Sequence, residues 1–441
     1  MKFIDLFAGI GGIRIGLEEA LREFGIEAEC VLSSEIDKAA CETYQLNFGE
    51  KPSGDVKDIH DIEQFDMLLA GFPCQPFSYA GKRRGFVDTR GTLFFEIERI
   101  LKKNKPKAFL LENVRGLTTH DNGRTFQTIV GKLEELGYGV TYKLLNSSDF
   151  GVPQNRVRIY ILGLLGKTPT MSISSGKGSA DTHKFKSTLQ QKLFDSANKA
   201  TRVRDILEDT VPIKYHCTED FVGRLKMVAG DDLHNLHGVR LIDYRNGSSF
   251  HSWELCIKGR CTKDEIDFMN LLIANRRKKI FGNQQDGKKL TLDQIQTFYK
   301  KKNIHEVVQG LLKKGYLKNH DGKFNPVAGN MSFEVFKFLD PESISITLVT
   351  SDAHRIGVVQ NGIARRITPR ECARIQGFPD TFICHPNDKH VYRQFGNSVS
   401  VPVVREVLKD FFRNNPEVID DEKSDKKTIQ VSRGRKVLST E

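Results

Sequence analysis

Five short apolar runs within the first 165 residues constrain this chain more than any other feature. They are "KFIDLF", "AECVLSSE", "DMLLAG", "AFLLEN" and "VRIYILGLL", and each has the length of a strand buried in a sheet. Between them, "GIRIGLEEALREF", "TLFFEIERILKKN" and "TFQTIVGKLEELG" space their apolar residues three and four apart, as half-buried helices do. The alternation predicts an α/β fold, a doubly wound and mostly parallel sheet. Open sheets of this kind gather their binding and reactive groups at the carboxyl ends of the strands. The residues that close each run are therefore the candidates for function.

Residues 1–166 read as the first part of one domain. From 167 to about 200 the composition shifts to "KTPTMSISSGKGSADTHKFKS", rich in Ser, Gly, Thr and Lys as linkers are. The segment 167–345 is expected to be this linker followed by a separately packed, basic module with "RRKK" at 276–279. Inside it, "TKDEIDFMNLLIANRRKK", "TLDQIQTFYKK" and "IHEVVQGLLKKG" have helical spacing, and "YLKNHDGKFNPV" carries an Asp-Gly turn suited to a hairpin. Helices followed by a hairpin are similar to a winged helix over about 262–328, and a loosely packed insertion gives the same string. Residues 346–414 return to the style of the first domain. The stretch 415–441 is charged and is expected to be loosely ordered.

Lys and Arg number 67 against 56 Asp and Glu, a formal net charge of +11, which favours a polyanionic partner. The eight cysteines are scattered with no CxxC pair, as in a reducing compartment. No apolar run approaches the roughly 18 residues of a membrane helix, and no secretory leader precedes "KFIDLF". A cytoplasmic protein without membrane association is expected. His234 and His237 with Cys256 and Cys261 match no standard zinc spacing, so no metal is expected.

The first strand runs into "DLFAGIGGIRIGLEEA", where Gly9, Gly11 and Gly12 allow a tight turn and close approach of backbone to a ligand. The spacing is not the G-x-G-x-x-G of dinucleotide enzymes, so hydride chemistry is disfavoured. Glu35 ends the second strand, where a carboxylate accepts from both hydroxyls of a ribose. Asp55, in "GDVKDI", is placed to accept from an adenine amino group; both acids fit equally well as solvated loop residues. Cys74 follows "DMLLAGFP" between Pro73 and Pro76, whose rings fix φ on either side and suit a rigidly mounted nucleophile. Glu112, in "LENV", reaches the same sheet edge, where partial burial raises a carboxyl pKa and makes a proton donor. Arg156 and Arg158 lie two apart and share a face. After Cys74, "SYAGKRRGFVDTRGT" mixes glycines with Lys82, Arg83 and Arg84; it reads either as a moving cover on DNA or as a solvated basic loop.

Taken in order, "DLFAGIGGIRIGL", "GFPCQPFS", "LENV", "QNRVRIYILG", "TPRECARIQGFPD" and "QFGNSVSVPVV" resemble the DNA (cytosine-5)-methyltransferase family of bacterial restriction-modification systems. The match covers residues 1 to about 165 and about 345 to 410, with the basic module where that family carries its variable target-recognition region. The resemblance implies a Rossmann-like sheet with one reversed strand, and DNA lying between it and the smaller domain. It makes Phe7, Gly9, Gly11, Gly12, Glu35, Ile36, Asp55, Val56, Pro73, Leu93, Asn397 and Ser398 contacts to S-adenosylmethionine. Cys74 becomes the nucleophile and Glu112 the residue holding the cytosine at nitrogen 3. Arg156 and Arg158 order the site, with Gln75, Ser78, Lys82, Arg83 and Arg84 on DNA. The implied partners are double-stranded DNA and, functionally, a cognate restriction endonuclease; a monomer is expected. A transfer RNA cytosine-5 methyltransferase shares some motifs but has a shorter target region with a Cys-Phe-Thr signature absent here. A non-catalytic DNA-binding protein is disfavoured by the intact Cys74, Glu112 and Arg158.

Overall fold

The computed structural model describes residues 1–73, 92–174, 201–244, 249–283, 288–327 and 333–420. Cys74, Gln75, Ser78, Lys82, Arg83 and Arg84 lie outside them. The chain divides into two compact units, one of Met1–Ile206, Ile344–Ala353 and Pro369–Glu441, the other of Leu207–Ser343 and His354–Thr368.

The larger unit is built on a six-stranded sheet of β1 (Lys2–Leu6), β2 (Glu29–Ser34), β3 (Met67–Gly71), β4 (Ala108–Val114), β5 (Tyr138–Asn146) and β6 (Val157–Leu165). Its order is β2-β1-β3-β4-β6-β5. The first four strands pair in parallel, and β6 runs antiparallel to both its neighbours, so the sheet has one reversed strand as expected. From β1 the chain passes to β2 on one side and to β3 on the other. The carboxyl ends of β1 and β3 therefore border the crevice that such a switch opens.

Alternate residues of each strand serve opposite faces. Phe3, Leu69 and Leu110 join one core with Leu17 and Leu21 of α1 (Gly12–Glu23) and Val403, Val407 and Phe411 of α11 (Val401–Asn414). Ile4, Leu68 and Leu111 join the other, with Ile97 and Leu101 of α3 (Thr92–Asn104) and Ile129 and Leu133 of α4 (Arg124–Glu135). Both faces are covered, which is why these strands read as continuous apolar runs. Helix α1 seats close on α11 because Gly16 has no side chain; a Cβ there would stand 2.6 Å from Val404 Cγ1.

Two elements escaped the pattern. Helix α2 (Lys38–Phe48) buries only Ala40, Cys41, Thr43 and Tyr44. Strand β5, "YGVTYKLLN", lies at the sheet edge and keeps most of its first seven residues half-exposed.

The smaller unit carries a five-stranded sheet of order β14-β13-β12-β7-β8, from β7 (Arg240–Leu241), β8 (Ser249–Phe250), β12 (Lys337–Leu339), β13 (Ile356–Gln360) and β14 (Ile363–Arg366). Helix α5 (Glu219–Ala229) packs Phe221 and Leu225 into its core. The boundary differs here from the sequence expectation, which returned the chain to the larger domain at 346. Residues 354–368 stay in the smaller unit because β13 pairs in parallel with β12 and folds back as β14 through Asn361 and Gly362, at φ 52° and 76°. An Asn-Gly pair between apolar runs is the strongest short hairpin signal.

Helix α6 (Lys263–Asn275), β9 (Leu290–Thr291), α7 (Leu292–Gln296), α8 (Ile304–Lys314), β10 (Leu317–His320) and β11 (Lys323–Pro326) complete this unit. The last C-terminal elements, α9 (Pro369–Ile375) and α10 (Asp388–Asn397), precede α11 in the larger unit.

The described beginnings of two segments expected to be loose, 167–174 and 415–420, are packed. Ser172 and Ile173 N–H both donate to Asp410 of α11, so the linker does not begin at 167. Val418 and Ile419 are buried, and Asn415 Nδ2 donates to the Thr170 carbonyl, so the tail does not begin at 415. Two adjacent apolar side chains suffice to hold residues 415–420 against the rest of the larger unit. No described helix is long and apolar enough to cross a membrane.

Candidate active site

At the carboxyl edge of the large sheet lies a cavity of about 610 Å³, within the size range of small-molecule sites. It is lined by Phe7, Gly9, Glu35, Ile36, Asp55 and Val56, by Pro73, Leu93, Glu112, Arg156 and Arg158, and by Gly12, Asn397 and Ser398, with Gly12 close against Ser398. Residues named from eight separated segments thus meet in one space. Gly11, expected beside them, does not line it and faces Phe48 and Tyr44 of α2 instead.

Phe7 leaves β1 at φ 54°, a left-handed conformation uncommon for a side-chain-bearing residue and enriched where backbone is held for function. Gly9 follows at φ 56°, where a Cβ would meet nothing; its absence keeps that side of the turn open. Gly12 acts by contact instead. A Cβ there would stand 2.9 Å from Val399 and 3.0 Å from Ser398 Oγ, so glycine lets α1 reach the loop after α10.

Glu35 is braced before any ligand arrives. Gly9 N–H donates to its Oε2 at 2.9 Å, and Ile36 and Asp37 N–H both donate to its Oε1 at 2.8 Å. A carboxylate accepts at about four lone-pair sites, so acceptor capacity is left for a ligand. Ile36 is 72% exposed although apolar, an open flat edge on the cavity. Asp55 Oδ1 caps the short turn Val56–Asp58 by accepting from Lys57 N–H at 3.0 Å. Asp5, two residues before Phe7, is buried with neither carboxyl oxygen hydrogen-bonded among the described residues. Burial pushes its pKa up to about 8, against the opposing charge of Arg14.

The other end is drier. Glu112 sits late in β4 opposite Gly71 of β3 and Tyr160 of β6, only 8% exposed. Arg158 Nε stands 3.2 Å from its Oε1, but outside hydrogen-bonding geometry, so that oxygen is charge-compensated without accepting a bond. Burial raises the Glu112 pKa above the ordinary carboxylate value, with Arg158 and then Arg156 pulling the other way. Burial and the charge of Arg158 hold Arg156 at about 10, below the usual arginine value.

Arg156 and Arg158 line the same cavity but do different things. Arg158 faces Glu112, whereas Arg156 Nη1 donates to the Leu348 carbonyl at 3.0 Å and its Nη2 to the Ser398 carbonyl. Arg156 thereby ties "QNRVR" to two segments about 200 residues later. Asn397 is fixed in turn by Thr350 Oγ1, which donates to its Oδ1 at 2.6 Å.

Four positions that sequence reasoning passed over also build the site. Asn113 Nδ2 donates to the Phe72 carbonyl at 2.9 Å inside the core, holding the backbone two residues before Cys74. Gln154, fully buried, donates to the Ile375 carbonyl and Gln376 and accepts from Leu348 N–H. His390 and Arg393 of α10 line the cavity, with Arg393 3.1 Å from Asp37. Asn113 and Gln154 stand in the quoted "LENV" and "QNRVR", but their partners are distant in sequence and nothing local marks them.

The C-5 cytosine-specific DNA methylase family matches the chain over residues 1–413. The chain belongs to that family. This methylase is 65% identical over 415 residues to the Type II methyltransferase M.BanI of Aneurinibacillus aneurinilyticus, covering 94% of this chain and 96% of the relative. It is 64% identical to M.HgiCI of Herpetosiphon aurantiacus, covering 94% and 98%, and 41% identical to M.NlaIV of Neisseria lactamica, covering 92% and 97%. In architecture it is similar to a DNA modification methyltransferase encoded within a prophage of E. coli, with a TM-score of 0.50 at 20% identity over 94% of this chain and 99% of the other. The methylase is a DNA (cytosine-5) methyltransferase of the kind found in restriction-modification systems.

Proposed function

We propose that this methylase transfers a methyl group from S-adenosylmethionine to carbon 5 of a cytosine swung out of a specific double-stranded DNA sequence, through a covalent adduct of Cys74 at carbon 6. The observation that carries the reading is Glu112: a buried carboxyl of raised pKa beside Arg158, in the same cavity as Glu35. It stands opposite Gly71 in β3, three residues before Cys74.

The cavity's residues fit the methyl donor. Glu35, braced by three backbone N–H groups, would accept from the ribose hydroxyls. Asp55 and Val56 would meet the adenine edge, with Phe7 and Ile36 as apolar flanks, and Asn397 and Ser398 would border the amino-acid portion. When bound, the donor supplies an electrophilic sulfonium methyl group.

Carbon 5 of cytosine is too poor a nucleophile to take that methyl group unaided. Addition of the Cys74 thiolate to carbon 6, with protonated Glu112 hydrogen-bonded at nitrogen 3, gives carbon 5 enamine character. The raised pKa of Glu112 keeps its proton available for this task. Arg158 orients the carboxyl, and the positive charge of the arginine pair favours thiolate over thiol. Once carbon 5 carries the methyl group, with S-adenosylhomocysteine as the leaving group, loss of the carbon 5 proton to a base and expulsion of the Cys74 thiolate would return free enzyme and 5-methylcytosine. A stacked cytosine hides its ring faces, so the base must leave the duplex at a cost of a few kcal/mol. In the cell the enzyme would act in the cytoplasm as a monomer and protect DNA from a cognate endonuclease.

The test supplies purified full-length enzyme with S-adenosylmethionine carrying a labelled methyl group, and with unmethylated plasmid DNA or transfer RNA. Label is expected in DNA as 5-methylcytosine, with none in transfer RNA and none from Cys74→Ser. Folded, cofactor-binding enzyme that leaves no 5-methylcytosine in DNA would overturn the reading.

A further inference from the structure

In the smaller unit, α6, β9, α7, α8 and the hairpin β10–β11 follow one another, and β9 pairs with β11 to give the sheet order β10-β11-β9. Helix, strand, two helices and a hairpin closed by that first strand are the parts of a helix-turn-helix with a wing. Met269, Leu272, Val307, Leu311 and Phe324 share one core. The hairpin turns through Asp321 and Gly322 at φ 52° and 78°, the two left-handed residues of a type I′ turn.

The seating of α8 on α6 decides which charges face outward. Glu265 closes a capping box with Thr262 at the start of α6. Its carboxylate then accepts from Lys314 Nζ at 2.7 and 2.5 Å, and a Cβ at Gly310 would lie 2.2 Å from it. Lys301 is held by Asp264 and Asp267, each at 2.7 Å. The acids of α6 are thus consumed inside the module. Between Lys300 and Pro326, Lys300, Lys302, Lys313, Lys318 and Lys323 are exposed and make no ion pair among the described residues. Against these five stand two exposed acids, Glu306 and Asp321.

The outer face of α8 is His305, Glu306, Gln309 and Lys313, opposite the buried Ile304, Val307, Val308 and Leu311. It carries no large apolar side chain to seat a protein partner, but four side chains able to meet base edges. We propose that α8 enters the major groove of the DNA substrate and reads part of the recognised sequence through His305, Gln309 and Lys313, while Lys318 and Lys323 of the hairpin and Lys302 lie on phosphates. The inference rests on the enzyme acting on DNA.

The test uses the full-length enzyme, S-adenosylmethionine and a random-sequence double-stranded DNA library, with methylated positions read by bisulfite sequencing. Parent enzyme is expected to methylate one sequence family. Q309A/K313A is expected to relax discrimination at one or two base pairs by roughly 5- to 150-fold. K318A/K323A is expected to keep the sequence, weaken binding about tenfold and reduce the slope of affinity against salt by about two. Both variants should keep the parent's melting temperature and cofactor affinity, which separates these effects from misfolding. If both methylate the same sequences with the parent's rate, affinity and salt slope, the inference is overturned while the enzyme's reading stands. A parent enzyme that methylates no DNA overturns both.

Discussion

The two ends of the cavity are built on opposite principles. Around Glu35 the polar work is done by backbone N–H groups on a half-exposed carboxylate, with solvent close by. Around Glu112 the polar groups are buried side chains, and a carboxyl faces an arginine without a completed hydrogen bond. The first arrangement is finished before a ligand binds. The second holds back unmet hydrogen-bonding capacity that a heterocycle could use. One end is suited to recognition and the other to chemistry.

Glu112→Gln should test that division most severely, lowering the methyl-transfer rate by roughly 10²- to 10⁴-fold while S-adenosylmethionine affinity changes little. Isothermal titration beside single-turnover kinetics checks it; equal losses in both would dissolve the distinction. Glu35→Ala should do the converse, weakening cofactor binding about 10- to 100-fold, as loss of hydrogen bonds to a charged group does, with the rate at saturation within a few-fold of the parent. Asn113→Ala should lie between them. It leaves the buried Phe72 carbonyl unpaired at a cost of about 1–3 kcal/mol, read as a lower melting temperature, and loosens the approach to Cys74, read as a lower rate at unchanged cofactor affinity.

The smallest effect on methyl transfer concerns Asp5, buried in β1 two residues before Phe7. Its pKa is raised to about 8 from 3.8, so the folded state holds a proton that the unfolded state has lost between those values. Stability is therefore full below about pH 4, declines as pH rises towards 8 and levels off above. Asp5→Asn should flatten that slope in thermal melts recorded across pH 4 to 9, leaving methyl transfer near the parent's.

Much of this was legible because burial on both faces leaves a plain mark in the apolar runs of β1, β3, β4 and β6. Strand β5 left none, since an edge strand with half-exposed residues satisfies no simple period, and α2 buries too few apolar side chains to show a stripe. The hairpin at 356–366 had its signal in Asn361–Gly362, which a reading of 346–414 as one stretch passed over. At the site, Glu35, Glu112 and the arginine pair could be named from their places at strand ends, whereas Asp55 caps a short turn between β2 and β3. The differing duties of Arg156 and Arg158 could not, because hydrogen bonds to Leu348 and Ser398 span about 200 residues and leave no trace in local pattern.

The packing of α11 on α1 bears on how the enzyme is born. Gly16 receives Val404, Glu19 pairs with Arg405, and Glu23 with Lys409, while Arg156 waits for the Ser398 carbonyl. A ribosome that has released the first 170 residues has made every acid named at the cavity together with Arg156 and Arg158, yet neither the wall behind α1 nor the carbonyl that anchors Arg156. The site closes only after some 230 further residues have been translated, so a nascent or prematurely terminated chain has no assembled cavity to offer the methyl donor.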